Sequence, residues 1–175
     1  LAAHYDVPVQ VHLGTYWKKG AVPGDSMDGM NQMGDFLIVA ERVPQGKYIL
    51  AHAIGCGPTP EFISWANMYL DALKGVFPEF PNNFWVEIRD FQTPALSRTF
   101  REVPVTRLLS GTDWTTRIGP PFQPYGTMFD IKENENPFPP KVSSFVEFLH
   151  KAGATEANIA RIGSENAREL YKLTS

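Results

Sequence analysis

The chain has 175 residues, 43% of them hydrophobic and 20% charged, with a net charge of -3. That is enough for one domain with a sizeable core, and the charge balance excludes nucleic acid or an anionic membrane as the expected partner. No apolar run approaches the roughly 20 residues of a membrane span, no secretory leader pattern is visible, and a single cysteine, Cys56, rules out an internal disulfide, so the expected setting is reducing and cytoplasmic.

In chain order, Leu1-Ala2-Ala3-His4-Tyr5 reads as the last turn of a helix. Val7 to His12 is a short β-rich run ending in a polar residue. Gly29 to Glu41 places Met30, Met33, Phe36, Leu37 and Ala40 near helical spacing, and Pro44 and Gly46 close that helix. Tyr48 to His52 is a second strand. Thr59-Pro60-Glu61 is a helix start, with a capping hydroxyl, Pro at the first helical position and an acid in the first turn; the helix should run to about Val76. Phe84 to Asp90 is a third strand, and a short helix is expected from Thr93 to Arg101. Leu108 to Asp113 is a fourth strand, followed by Trp114. Residues 115–140 are rich in Pro, Gly and aromatics without a period, which in a compact domain suggests a functional or disordered loop. Lys141 to Ala152 is amphipathic with Gly153 suited to its C-cap, and two helices follow, Glu156 to Ile162 and Glu165 to Leu173, with Thr155 and Ser164 as N-caps.

Strands separated by crossover-length helical segments imply a parallel α/β sheet, either part of a barrel or an open doubly wound sheet. Both place active residues at the carboxyl ends of the strands. Strand side chains alternate between faces. Counting back by twos from each strand end puts Pro8, Gln10 and His12; Tyr48, Leu50 and His52; Trp85, Glu87 and Arg89; and Leu109, Gly111 and Asp113 on one face. The opposite face, with Val7, Val9, Val11, Ile49, Ala51, Phe84, Val86, Ile88, Leu108, Ser110 and Thr112, suits packing under helices. His12, His52, Arg89 and Asp113 are thus expected at one rim.

Imidazole and carboxylate are the usual ligands of zinc and related divalent ions. A catalytic ion activates a water, a second histidine moves the proton, and an arginine fork can hold a substrate carboxylate. On this reading His12 and His52 are candidates for ligand and proton carrier, Asp113 can serve as both a metal ligand and a proton acceptor, and Arg89, with Trp114 beside Asp113, can contact substrate.

Gln-Val-His12-Leu-Gly, Ala-His52-Ala-Ile-Gly, Leu-Leu-Ser-Gly-Thr-Asp113-Trp and the tail Ile162-Gly-Ser-Glu-Asn166-Ala-Arg-Glu-Leu170 resemble the amidohydrolase-related family. That family comprises metal-dependent (β/α)8 barrels of the amidohydrolase superfamily: lactone and dicarboxylate hydrolases, and non-oxidative decarboxylases resembling aminocarboxymuconate semialdehyde decarboxylase. The resemblance spans nearly the whole chain but only as the family's second half, strands five to eight and the C-terminal helices. It implies that His12 is the strand-five metal ligand, His52 the strand-six catalytic or supporting histidine, and Asp113 the strand-eight ligand or base. The His-x-His pair of the family's first strand does not occur; the four histidines are His4, His12, His52 and His150. A complete barrel needs ~250 residues. The expectation is therefore one partial barrel domain over residues 1–175 that lacks strands one to four and completes itself as a homo-oligomer or beside its missing half.

The implied cofactor is a divalent ion, zinc first and manganese as the alternative. The implied partner is a small carboxylate, lactone or amide substrate. The implied reaction is attack of metal-activated water on an ester, lactone or amide carbonyl. The alternatives are decarboxylation of an aromatic or unsaturated acid on the same site, or a catalytically inactive half-barrel. Blander roles stand beside these. His12 or His52 could each be a satisfied core histidine, Asp113 an Asx-turn residue, and Arg89 a structural partner of Glu87 or Asp90. Cys56 reads as a buried free thiol rather than a ligand. Trp17, Phe122, Tyr125 and Phe129 could line a pocket with Trp114 or only pack their loops, and the Glu133 to Asn136 run reads as a solvated loop. His4 and His150 read as surface residues.

Overall fold

In the computed structural model, which describes residues 1–13, 26–54, 69–88, 97–111 and 138–173, four strands lie side by side in chain order. They are β1 (Val9–Val11), β2 (Tyr48–Leu50), β3 (Phe84–Ile88) and β4 (Leu108–Ser110). Every pairing is parallel, with Gln10 opposite Ile49, Ile49 opposite Trp85, and Glu87 opposite Leu109. The apolar runs of β2, β3 and β4 are what a parallel sheet buried on both faces requires. The expected α/β class with a parallel sheet is therefore present.

Helix α1 (Ser26–Arg42) buries Met33, Phe36, Leu37 and Ala40, the spacing of one helical stripe. Residues 69–76 form α2, which buries Tyr69, Leu70 and Leu73. Helices α3 (Ser97–Glu102) and α4 (Phe138–Lys151) follow, and Phe100 meets Phe148 with ring centroids 5.5 Å apart. These helices share one core with Tyr48, Leu50, Phe84, Val86, Ile88 and Leu108 from one face of the sheet. Phe84 lies at its centre, fully buried, with centroids of Tyr48, Phe36 and Phe77 at 5.3, 5.7 and 5.8 Å.

The C-terminal helices depart from expectation. Helix α5 (Glu156–Ala160) begins at Thr155, whose hydroxyl accepts the Asn158 N–H at 3.2 Å as a cap should. It does not stop near Ile162. A π turn (Arg161–Glu165) joins it directly to α6 (Asn166–Tyr171). Ser164 caps nothing: it sits inside the π turn and its hydroxyl donates back to the Ala160 carbonyl at 3.4 Å. The run passes around the β4 side of the sheet, Ile162 joining the helix-packed core and Leu170 and Ala167 packing on the opposite face with Ile49, Trp85 and Leu109. Asn166 fastens the crossing, its side-chain amide donating to the carbonyls of Val105 and Leu108 at 2.7 and 2.8 Å.

Three helical turns end in the same way, with a left-handed residue whose N–H and the next N–H bond back into the last turn. Gly153 does so after α4, as expected, with φ of 86°. Lys172 closes α6, and Asp6 closes the turn over Leu1 to Tyr5, both at φ 54°. Asp6 also ties its turn to the end of α6 through Lys172 and to the start of β2 through Lys47, the residue before that strand, at 2.6 Å. The two ammonium groups hold its carboxyl down to about 2. A carboxyl lowered on folding adds stability above its unfolded value, and the contribution disappears as pH falls through the folded one. Acid melts should therefore lower the wild-type unfolding midpoint between about pH 4 and pH 2 by more than that of Asp6→Asn. Because the group is exposed, the difference should shrink in added salt.

Candidate functional site

His12 directly follows β1 and His52 follows β2 in a 3₁₀ turn (Ala51–Ile54), at the carboxyl ends of paired parallel strands. Their rings meet edge to face, with centroids 4.4 Å apart and planes at 71°. His12 is exposed, whereas His52 is only 5% exposed. One imidazole thus lies at solvent with the other pressed beneath it.

The route by which His52 arrives differs from strand alternation. Tyr48 and Leu50 do not share the face of Gln10 and His12; they lie in the helix-packed core, and Ile49 joins Trp85 and Leu109 on the other side. The face assignment for β2 is corrected accordingly, while Trp85 and Leu109 fall on the expected face. Unbroken alternation would have sent His52 under the helices. Instead His52 (φ 43°, ψ 35°) and Ala53 (φ 49°, ψ 35°) adopt left-handed conformations, which end the alternation and turn the ring back toward His12. Such residues cost about 1–3 kcal/mol each and persist only where their surroundings hold them. Ala53 is fully buried in the core.

Glu87 projects from β3 into the same region. Its carboxylate accepts the His52 backbone N–H at 2.8 Å and the Gln10 side-chain amide at 3.4 Å. It lies directly over Gly111, where a Cβ would fall 1.7 Å from the Glu87 Oε1. The Gly111 N–H bonds the Ile88 carbonyl at 2.9 Å, extending the β3–β4 ladder one step beyond β4. Leu170 and Ala167 of α6 pack on this face with Ile49, Trp85 and Leu109, and the neighbouring Tyr171 hydroxyl has its pKa raised by burial and then by the Glu87 carboxylate. The sequence reading gives Glu87 no site role and names it only, with Asp90, as an alternative structural partner of Arg89. The legible signal was an acid on one strand beside a glycine on the next, on the face that also carried His12.

Asp113, Arg89 and Trp114 lie outside the described residues, as do Cys56, Trp17, Phe122, Tyr125, Phe129 and the acidic run from Glu133. Of the five expected site residues, the structure describes His12 and His52 and brings them together. His4 and His150 are exposed, as read from the sequence, with His150 3.3 Å from Glu156. Among the described residues no group of three His, Cys, Asp or Glu is arranged to hold a metal, and no helix is long and apolar enough to cross a membrane. Two adjoining imidazoles fit a divalent ion in kind of donor. A complete ligand set requires further donor groups beyond these two.

No protein-family model matches the chain, and no curated protein matches it. What the site can do rests on its own residues: two histidines in ring contact at one rim of a parallel sheet, and a carboxylate beside them held by a backbone N–H.

Proposed function

We propose that the chain forms strands five to eight of a (β/α)8 barrel, and that the complete barrel is a metal-dependent hydrolase of the amidohydrolase-related kind. Its substrates would be small esters, lactones or amides. The contact of His12 with His52 at the ends of paired parallel strands carries this reading. The strand order supports the fold: four parallel strands follow one another without reversal, whereas a doubly wound sheet reverses at its switch point. The described helices α1 to α4 share their core with one face of the sheet, while the other face carries the smaller cluster of Ile49, Trp85 and Leu109, on which Leu170 and Ala167 of α6 pack.

In this mechanism His12 and Asp113 would hold the ion, zinc or manganese. When bound, the ion lowers the pKa of a water and polarises the carbonyl. His52, buried against His12, takes a proton and returns it to the leaving group. Arg89 and Trp114 would orient and cover the substrate. Equilibrium dialysis against zinc and manganese tests the reading, with His12→Ala expected to bind at least about 10-fold more weakly. Lactone and aryl-ester opening without release of carbon dioxide is the expected activity. Equal metal binding by wild type and His12→Ala would overturn the metal assignment. Carbon dioxide from unsaturated acids with lactones untouched would move the site to decarboxylation.

A further inference from the structure

We propose that Glu87 is the positioning residue of this site: it aims His52 at His12 by holding the left-handed turn between them, and Gly111 is the companion that lets it reach. The inference rests on the reading of the histidine pair as functional, but its geometry stands apart from any metal.

The turn over Ala51–Ile54 has two consecutive residues at positive φ that are not glycine, one of them the buried His52. Something must make this conformation the favoured one, because an extended continuation of β2 would point the ring away from His12. The Glu87 carboxylate accepts the N–H of His52 itself at 2.8 Å. A charged acceptor on a partly buried amide is among the stronger hydrogen bonds a protein makes. An extended strand would use that N–H in the ladder instead, so the bond selects the turn. The carboxylate also accepts from Gln10, two residues before His12 on β1. One side chain on β3 thus links both histidine-bearing strands.

Gly111 supplies the second half of the device. Any side chain there would strike the carboxylate, with Cβ 1.7 Å from Oε1 and 2.5 Å from Cδ. The constraint is one of space. It predicts that adding a methyl to Gly111 and removing the carboxylate of Glu87 have the same consequence at His52, although neither change touches an imidazole directly.

Glu87→Gln, Glu87→Met, Glu87→Ala, Gly111→Ala and the Glu87→Ala/Gly111→Ala double variant test this in the full 175-residue chain. The readouts are amide hydrogen exchange at His52, the nuclear Overhauser contact between the His12 and His52 rings, and zinc affinity. Glu87→Ala and Gly111→Ala should each speed exchange at the His52 amide by about 10- to 100-fold and abolish the ring contact, with exchange at Leu50 and Val86 unchanged. The double variant should be no worse than either single one. Glu87→Gln keeps an acceptor oxygen and should preserve the ring contact, whereas Glu87→Met, of similar size but without an oxygen acceptor, should lose it, an outcome that packing alone would not give. If Glu87→Ala does not fold, Gly111→Ala decides. Ring contact and slow exchange surviving in Gly111→Ala or in a folded Glu87→Ala overturn the proposal. Absence of zinc binding in wild type with the exchange pattern as expected would sink the metal reading and leave the positioning role standing.

Discussion

His52→Ala is expected to cleave 4-nitrophenyl acetate or a simple lactone about 100- to 10,000-fold more slowly than wild type, the range that positioned acid–base catalysis supplies. The expectation follows from where the ring sits. It is buried while His12 is exposed, and the two touch edge to face, so the ring is held against the residue proposed to hold the ion. His12→Ala should act differently, chiefly by weakening metal binding, so excess zinc should restore part of its rate and none of the His52→Ala rate. Initial rates across a zinc titration check the distinction. Equal recovery of both variants would mean that the two histidines share one role.

Phe84→Ala should lower the unfolding free energy by about 3–5 kcal/mol, the usual cost of emptying a buried phenylalanine site. Phe84 begins β3 with no exposed surface, and rings from α1, β2 and the residue after α2 converge on it. A typical domain is stable by only about 5–15 kcal/mol, so this one change removes a third or more of a middling value. Ile38→Ala is the control: it lies on the outer side of α1, half exposed, and should shift stability by no more than about 0.5 kcal/mol. Urea unfolding of the two variants beside wild type measures both. A loss near 1 kcal/mol for Phe84→Ala would show that the surrounding rings collapse into the space.

Much of the architecture was legible because it depends on local pattern. Met33, Phe36, Leu37 and Ala40 repeat at helical spacing and are the buried stripe of α1. Strand-length apolar runs separated by helices could hardly be arranged otherwise than in parallel, and the four strands are parallel in chain order. Thr155 and Gly153 carried cap chemistry that is readable in isolation. Ser164 carried the same signal and misled, because a hydroxyl inside a helix can bond back to its own preceding turn. The join between α5 and α6 depends instead on what the run packs against: Ile162 on one side of the sheet, Leu170 on the other, and Asn166 fastened to Val105 and Leu108 between them.

By itself the chain's order of residues determined that His12 and His52 stand at the ends of neighbouring parallel strands, since alternating strand and helix patterns leave little other choice. Only the tertiary structure decided that their rings meet. Counting by twos placed His52 correctly for the wrong reason, because β2 runs with the opposite parity and a left-handed turn makes up the difference. That turn has no local signature in Ala51-His52-Ala53-Ile54. It depends on a carboxylate 35 residues away in sequence and on a glycine whose missing side chain leaves the carboxylate room, and such long-range contacts exist only once the sheet has formed.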